Sequence, residues 1–203
     1  MILIGLAGKF GAGKDSVADT LVKHLGFKKI SFAEPLRKEC TRAILEQSYP
    51  ECIPADLRRE LCTAKPIDVW SKPTPAPIRR LLQLWGTEYR REQDVDYWVK
   101  RTEAEIIKAW EEGKDLVIAD TRFENEARLV KLYGELWLVE RPGLIADCAL
   151  RLHPSEELAQ SYKDWDYVVA NIGTLDGLEN DVLEAFIRRF WKAGVSKGEK
   201  ACR

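Results

Sequence analysis

The sequence predicts an α/β fold in which short buried strands alternate with helices around a parallel sheet. Three observations support this prediction: the apolar start MILI runs into the glycine-rich stretch GLAGKFGAGK, and two later apolar runs, DLVIAD and ELWLVE, each border a helical pattern. Strands of a parallel sheet are covered on both faces, so they read as continuous apolar runs. A chain of 203 residues suits one domain with insertions.

The predicted elements follow in chain order. A strand covers residues 1–6, and a helix runs from about Gly13 to Leu25 before the stop at Gly26. KKISFA predicts a second strand, and PLRKECTRAILEQ a helix with Pro35 in its first turn. Residues 48–77 hold most of the prolines and predict an irregular insertion.

The second half of the chain returns to regular patterns. Two helices are predicted for IRRLLQLWGTEYRRE and VDYWVKRTEAEIIKAWEEG. Strand DLVIAD, helix ENEARLVKLYG and strand ELWLVE come next, followed by the loop RPG and a polar stretch. Strand YVVAN and helix LDGLENDVLEAFIRRFW complete the fold, and SKGEKACR predicts a frayed tail.

Composition argues against several classes of protein. The 32 Lys and Arg residues balance 33 Asp and Glu residues, so no broad basic surface for nucleic acid is expected. No run approaches the roughly 20 apolar residues that span a membrane. The start MILIGLAG is too short for a signal peptide, which predicts a cytoplasmic protein. Five scattered cysteines without a Cys-x-x-Cys pair argue against a disulfide framework or a zinc site.

The stretch GLAGKFGAGKDS almost matches the phosphate-binding pattern G-x-x-x-x-G-K-S/T. It leaves a buried strand and enters a helix, as a phosphate loop must. Gly8, Gly11 and Gly13 would let backbone N–H groups converge on phosphate oxygens, and the start of the helix adds partial positive charge. Lys14 would reach the β- and γ-phosphates. The alternative is a plain strand–turn–helix connection.

The residue after Lys14 departs from the pattern, because Asp15 precedes the hydroxyl of Ser16. A carboxylate beside a triphosphate is repelled unless a cation lies between them, and Mg²⁺ takes oxygen ligands. We therefore predict ATP and Mg²⁺ at this loop, with Asp15 and Ser16 as the metal-site residues. The alternative for Asp15 is a favourable charge at the start of a helix.

Arginines suggest a second phosphate. Their guanidinium fork matches phosphate oxygens, and those of interest are Arg79, Arg80, Arg90, Arg91, Arg122, Arg141 and Arg151. Some of them, such as Arg80, could equally lie on solvated helix faces. No glutamate directly follows Asp120, where a hydrolytic ATPase often carries one. These features favour a kinase for a small phosphorylated acceptor.

Five separated blocks in order resemble the deoxynucleoside monophosphate kinases of tailed bacteriophages: GKFGAGKDSVAD, RRLLQLWGTE with DYWVK, DTRFENEA, VERPG and VVANIGTLDGL. The resemblance implies a P-loop kinase-type parallel sheet flanked by helices, a helical monophosphate-binding arm and a mobile lid. It also implies ATP as donor, deoxynucleoside monophosphates as acceptors for DNA precursor synthesis, and the host cytoplasm as the location.

The resemblance also implies roles for individual residues. The donor would be bound by Gly11, Ala12, Gly13, Lys14, Asp15, Ser16, Asn171, Gly173 and Thr174. The last three belong to NIGT, residues 171–174, a loop that would lie beside the adenine of the donor. The acceptor would be bound by Arg79, Gln83, Gly86, Thr87, Trp98, Asp120, Arg122 and Glu126. The residues expected to act in catalysis are Lys14, Asp15, Arg79, Asp120 and Arg122. Arg141 and Arg151 would close with the lid.

The predicted organisation is a single kinase domain over residues 1–203. Its core would cover residues 1–34, 113–141 and 166–194, its monophosphate-binding insertion residues 35–112, and its lid residues 142–165.

Several alternatives stay open on the sequence. The protein could instead phosphorylate another small metabolite, such as dephospho-coenzyme A, or be a P-loop ATPase or switch. Trp98 could stack on the acceptor base or be a core aromatic, and His153 is expected to serve the lid rather than catalysis. The accepted bases, discrimination against ribonucleotides and the oligomeric state, with a homodimer as one option, are not determined.

Overall fold

A computed structural model describes residues 1–143 and 158–191, in which five parallel strands form one sheet. The strands are β1 (Leu3–Ala7), β2 (Lys28–Ile30), β3 (Leu116–Ile118), β4 (Glu135–Glu140) and β5 (Tyr167–Ala170). Their order is β2-β3-β1-β4-β5, so β1 lies in the middle between β3 and β4. Gly5 is in register with both Ile118 and Leu136. The predicted fold class is confirmed.

The chain divides into two compact units. The sheet unit comprises Met1–Ile30 and the described residues from Ala109 onward, and the helical unit comprises Ser31–Lys108. Helices of the sheet unit are α1 (Lys14–Leu25), α6 (Glu124–Tyr133), α7 (Leu158–Ser161) and α8 (Leu175–Phe186), followed by a π-helix (Ile187–Trp191). No helix in the described ranges combines the length and the apolar character that a membrane crossing requires.

The core of the sheet unit explains why its segments fold as they do. All five residues of β1 are buried, as expected for a central strand with both faces covered. Helix α1 packs against α8, and its apolar side chains Val17 and Leu21 join Trp137 of β4 and Val182 of α8 in one cluster. Helix α1 ends at Gly26, whose left-handed backbone accepts the turn at no steric cost.

The helical unit has an apolar core of its own, which includes Ile44, Leu57, Leu61 and Leu81. Its elements are α2 (Ala33–Glu46), α3 (Ala55–Leu61), a 3₁₀-helix (Pro66–Trp70), α4 (Ala76–Gln83), a π-helix (Leu84–Arg91) and α5 (Tyr97–Glu111), of which residues 97–108 belong to this unit.

The prediction of an irregular segment over residues 48–77 holds for its connections and is wrong for two short helices within it. Helix α3 and the 3₁₀-helix occupy much of it, because its prolines stand where helices begin. Pro54 precedes α3, Pro66 opens the 3₁₀-helix and Pro75 precedes α4. Proline is favourable at a helix start, where no backbone N–H is needed. Proline content therefore indicated helix boundaries rather than a loop.

The second difference concerns IRRLLQLWGTEYRRE, predicted as one regular helix. The segment is α-helical up to Gln83 and π-helical from Leu84 to Arg91. The predicted tail and the middle of the predicted lid, with Arg151 and His153, lie outside the described residues.

Candidate functional site

The predicted phosphate loop connects the carboxyl end of β1 to the first turn of α1. Its glycines 8, 11 and 13 all have positive φ angles, of 148°, 78° and 103°. A Cβ atom at Gly8 would collide with the carbonyl oxygen of Val139 in β4, so the loop can approach the sheet only without a side chain there. The loop closes with a hydrogen bond from Ala12 N–H to Lys9 O, 3.1 Å long.

Lys14 folds back over this loop. Its ammonium donates to the carbonyl oxygens of Gly8, at 2.6 Å, and of Lys9, at 2.9 Å. A cation is therefore held beside the open start of α1, where backbone N–H groups and the helix dipole favour an anion. Together these groups have the chemistry to hold an anion, and we call them the anion cradle.

Asp15, on the first turn of α1, already has a cationic partner. The ammonium of Lys29 donates to Asp15 Oδ1 and to Asp19 Oδ1, each at 2.9 Å. Burial alone would lower the pKa of Lys29, but the hydrogen bonds and charges of the two aspartates raise it above its ordinary value. Lys29 is therefore charged at neutral pH and offsets the two carboxylates.

The residues around Asp15 fit Mg²⁺ only as an ion that brings other ligands with it. Across residues 1–143 and 158–191, no cluster of three or more His, Cys, Asp and Glu side chains could hold a metal. Asp15, 62% exposed, and the neighbouring Ser16 would supply oxygen ligands to such an ion. Mg²⁺ is commonly bound by one or two carboxylates together with phosphate oxygens and water. This donor set suits such an ion.

The turn after β3 places Asp120 and Arg122 next to the end of β1, because Thr121 N–H donates to Leu6 O at 3.1 Å. Arg122 is exposed, whereas Glu126 is only 2% exposed. The Glu126 carboxylate accepts the backbone N–H groups of Arg122, at 2.8 Å, and Phe123, at 3.2 Å. Glu126 thus holds the turn and the start of α6, and its contact with the acceptor stays a prediction.

The predicted adenine loop after β5 touches the phosphate loop. Asn171 Nδ2 donates to Ala12 O at 2.9 Å, while the backbone N–H of Asn171 donates to Glu140 O at 2.7 Å. Thr174 caps α8, since its hydroxyl oxygen accepts Gly177 N–H at 3.2 Å. Gly173 has a positive φ of 112° and is exposed. Asn171 is therefore the member of this loop that contacts the cradle.

A cavity of about 370 Å³ lies beside the phosphate loop. It is lined by Lys9 and Ala12 of the loop, by residues 138–143 at the end of β4, and by Ala159 of α7. The lining includes the predicted lid residue Arg141. One cationic side chain from the loop and one from the end of β4 thus face a single opening.

The predicted acceptor residues on the helical unit have mixed surroundings. Arg79 and Gln83 are exposed on α4, and Thr87 is exposed on the π-helix. Trp98 is only 3% exposed, and its indole N–H donates to Gly86 O at 3.0 Å. The Trp98 ring is enclosed in the core of the helical unit, so the structure corrects its predicted stacking on a base.

Sequence reasoning missed Glu39, which organises the helical unit. Its Oε2 accepts Trp85 Nε1–H and Arg90 Nε–H, each at 2.9 Å, and its Oε1 accepts Tyr97 O–H at 2.5 Å. Trp85 and Arg90 are five positions apart, the spacing that one turn of a π-helix brings together. The Arg90 guanidinium also lies 4.7 Å from the Tyr97 ring centroid.

No local signal identifies Glu39, because a single glutamate on an amphipathic helix reads as a solvated residue. Its partners are 46 to 58 positions away. Burial alone would raise the pKa of Glu39, but hydrogen bonds from Tyr97, Trp85 and Arg90 bring it below its ordinary value. The carboxylate is therefore ionised at neutral pH.

Comparison with known proteins gives two relatives and several similar solved structures, and no family model matches the chain. A protein of Acanthamoeba polyphaga mimivirus, provisionally named a deoxynucleotide monophosphate kinase, is 34% identical over 200 residues, covering 90% of this chain and 95% of the relative. Uncharacterized protein ORF77 of Ictalurid herpesvirus 1 (strain Auburn) is 24% identical over 181 residues, covering 88% of this chain and 68% of the relative.

Among solved structures, TT1252 from Thermus thermophilus matches 93% of this chain and 97% of its own, with a TM-score of 0.52 and 18% identity. This likeness extends to the fold alone, a parallel sheet flanked by helices. A bacteriophage source, which the sequence resemblance suggested, stays a prediction.

Proposed function

We propose, from the premise that the chain belongs to the deoxynucleotide monophosphate kinase family, that it transfers the terminal phosphate of ATP to the phosphate of a deoxynucleoside monophosphate. Membership of this family makes the protein a phosphotransferase. The observation that carries the proposal is the cradle between β1 and α1, with the ammonium of Lys14 held by the carbonyl oxygens of Gly8 and Lys9.

The donor side of the reaction is assigned to the sheet unit. Backbone N–H groups at the start of α1 and the Lys14 ammonium would bind the phosphates of ATP. Arg141, which lines the adjoining cavity, would add charge there. Asp15 and Ser16 would hold Mg²⁺, directly or through water. A bound magnesium ion would neutralise part of the phosphate charge.

Phosphoryl transfer between two phosphates requires few catalytic groups from the protein. The acceptor is already an anion, so no general base is needed, and positioning and charge stabilisation supply most of the rate enhancement. We assign Arg122 to the acceptor phosphate, since its exposed side chain follows β3 on a turn that Glu126 holds in place. Asp120 would help to orient groups at this strand end.

On the helical unit we assign acceptor binding to Arg79. Its exposed side chain lies on α4, whose buried residues Ile78 and Leu81 point into the core of that unit. The fork of a guanidinium can grip a phosphate with two parallel hydrogen bonds. Gln83 and Thr87 are exposed further along the same helical segment and are candidates for polar contacts with the nucleoside.

An acceptor panel tests this function. Purified protein with ATP and Mg²⁺ is given each of four deoxynucleoside monophosphates, the corresponding ribonucleotides, dephospho-coenzyme A, or no acceptor. Both ADP and the phosphorylated product are measured. We expect one ADP for each deoxynucleoside diphosphate formed and little ADP without an acceptor. A Lys14→Ala preparation is the matched blank for contaminating kinases.

The same panel separates the alternatives. Phosphorylation of dephospho-coenzyme A alone would assign the enzyme to another small-metabolite kinase. ADP release that is independent of every acceptor would indicate an ATPase or switch. Either outcome would overturn the proposed acceptor, and the second would overturn the kinase reaction itself.

A further inference from the structure

We propose that Asn171 is a positioning residue that braces the phosphate loop by holding the carbonyl group of Ala12. This inference rests on the proposed function, because it concerns how the loop binds the phosphates of the donor. It differs from the role that the sequence predicts for Asn171, which is a place beside the adenine base. The side-chain amide would act on the triphosphate end of the donor through the loop.

The brace is fixed at both of its ends. The backbone of Asn171 is tied to β4 by its hydrogen bond to Glu140 O, which continues the pairing of β4 with β5. The Asn171 amide then donates to Ala12 O at 2.9 Å. Ala12 is 1% exposed, so its carbonyl depends on protein partners to satisfy its hydrogen-bonding capacity.

Holding this carbonyl also orients a donor. In a trans peptide the C=O and the following N–H point in opposite directions. A carbonyl of Ala12 directed at Asn171 therefore turns the N–H of Gly13 away from Asn171. We assign this N–H to the anion cradle. Without the brace the Ala12–Gly13 peptide could rotate, and the donor would have to be oriented again each time a phosphate binds.

Gly13 leaves space for the brace. A Cβ atom at position 13 would lie 2.5 Å from Asn171 Nδ2, closer than such atoms approach one another. Residue 13 also has a φ of 103°, a conformation in which side chains are strained. An amide at position 171 suits the site, since its NH₂ group meets a carbonyl oxygen. An aspartate there would present a charged acceptor to another acceptor.

A probe that lacks the base separates the two roles of Asn171. We compare wild type, Asn171→Ala and Asn180→Ala, in which the same change is made at an exposed position of α8. Calorimetry on the full chain measures binding of Mg²⁺–tripolyphosphate, ATP and adenosine. Loss of the brace should weaken tripolyphosphate and ATP binding by the same factor, about three- to tenfold, the usual net value of one hydrogen bond.

The remaining readouts should not change. Adenosine binding, the KM for the monophosphate and all properties of Asn180→Ala should match wild type. The unfolding temperature of Asn171→Ala should fall slightly, because the buried Ala12 carbonyl loses its partner. Asn171→Asp keeps the size of the side chain and should weaken tripolyphosphate binding more than Asn171→Ala does, because two acceptors then face each other. If the alanine variant does not fold, Asn171→Asp still tests the hydrogen bond to Ala12 O.

Contrary outcomes are distinct. If ATP binding weakens while tripolyphosphate binding does not, Asn171 contacts the base and the brace is refuted. An Asn171→Asp protein that binds tripolyphosphate as tightly as wild type also refutes it, as does a loss shared by adenosine and tripolyphosphate. If wild type binds neither ATP nor tripolyphosphate, the proposed function fails, and the brace fails with it.

Discussion

Glu39→Ala tests whether the helical unit depends on one carboxylate. The change removes the acceptor for Trp85 Nε1–H, Arg90 Nε–H and Tyr97 O–H. It leaves the guanidinium of Arg90 beside the Tyr97 ring without its carboxylate. Because Trp85 and Arg90 belong to the π-helical turn, we expect this turn to lose stability first.

The size of the expected loss of stability follows from how exposed Glu39 and Arg90 are. The side chains of Glu39 and Arg90 are 19% and 24% exposed, which places the pair between a surface ion pair and a buried one. Surface pairs contribute up to about 1 kcal/mol, and breaking a buried pair costs about 3–5 kcal/mol. We expect a loss of about 3 kcal/mol, which lowers the unfolding temperature of a 203-residue chain by about 6–12 °C.

Thermal unfolding at pH 7, followed by circular dichroism, measures this loss. Glu46→Ala is the matched control on the same helix, because Glu46 forms an exposed pair with Arg42, four positions away. That control should leave the unfolding temperature close to that of wild type, because an exposed ion pair contributes little to stability. Glu39→Gln should fall between the two, since it keeps one acceptor oxygen. A Glu39→Ala protein as stable as Glu46→Ala would refute the role of this network.

Four further outcomes are expected. Lys14→Ala should lower turnover by about 10²-fold or more with the unfolding temperature unchanged; a folded variant with normal turnover contradicts the role of the phosphate loop. Asp15→Asn should raise the Mg²⁺ concentration at half-maximal activity; an unchanged magnesium titration would leave Asp15 only its helix-start charge and its pair with Lys29. Arg79→Lys should raise the KM for the monophosphate and leave the KM for ATP unchanged, because lysine lacks the fork; equal impairment toward both substrates removes Arg79 from the acceptor site. Hydrogen bonding leaves the pKa of Glu39 below its ordinary value in the folded protein, although burial opposes this. The unfolded chain therefore takes up the proton first, and the stability advantage of wild type over Glu39→Gln should be complete near neutral pH and shrink below about pH 4.5 in urea titrations. An advantage that grows on acidification would show the opposite shift.

The sequence predicts those parts of the fold that neighbouring residues determine. The buried strand β1, the glycines after it and the start of α1 are all encoded within about 25 positions, so the phosphate loop is readable as a pattern. The order of the strands in the sheet cannot be predicted from neighbouring residues in this way. It depends on which strand pairs with β1, and β3 and β4, its two neighbours, begin more than a hundred positions later.

For other residues, the structure shows hydrogen-bond partners that the sequence pattern did not indicate. Trp98 and Glu126 were expected to face the acceptor, but Trp98 donates to Gly86 in the core and Glu126 caps the turn before α6. Glu39 was not singled out, because its partners lie on the π-helix and α5. A residue type suggests what a side chain can do, whereas its partners decide what it does.

The phosphate loop depends both on its local sequence pattern and on residues far away in the chain. Glycine at positions 8 and 13 is part of a pattern that can be read locally, yet the structure gives reasons for it that lie elsewhere in the chain. Gly8 is required by the carbonyl oxygen of Val139 on β4, and Gly13 makes room for the amide of Asn171 after β5. Since β4 lies beside β1 and β5 beside β4, the loop is shaped by the ends of two strands that follow it by more than 100 residues. The loop and these strand ends therefore constrain one another. The phosphate binding that we propose for the loop would depend on the packing of the sheet as well as on its own glycines.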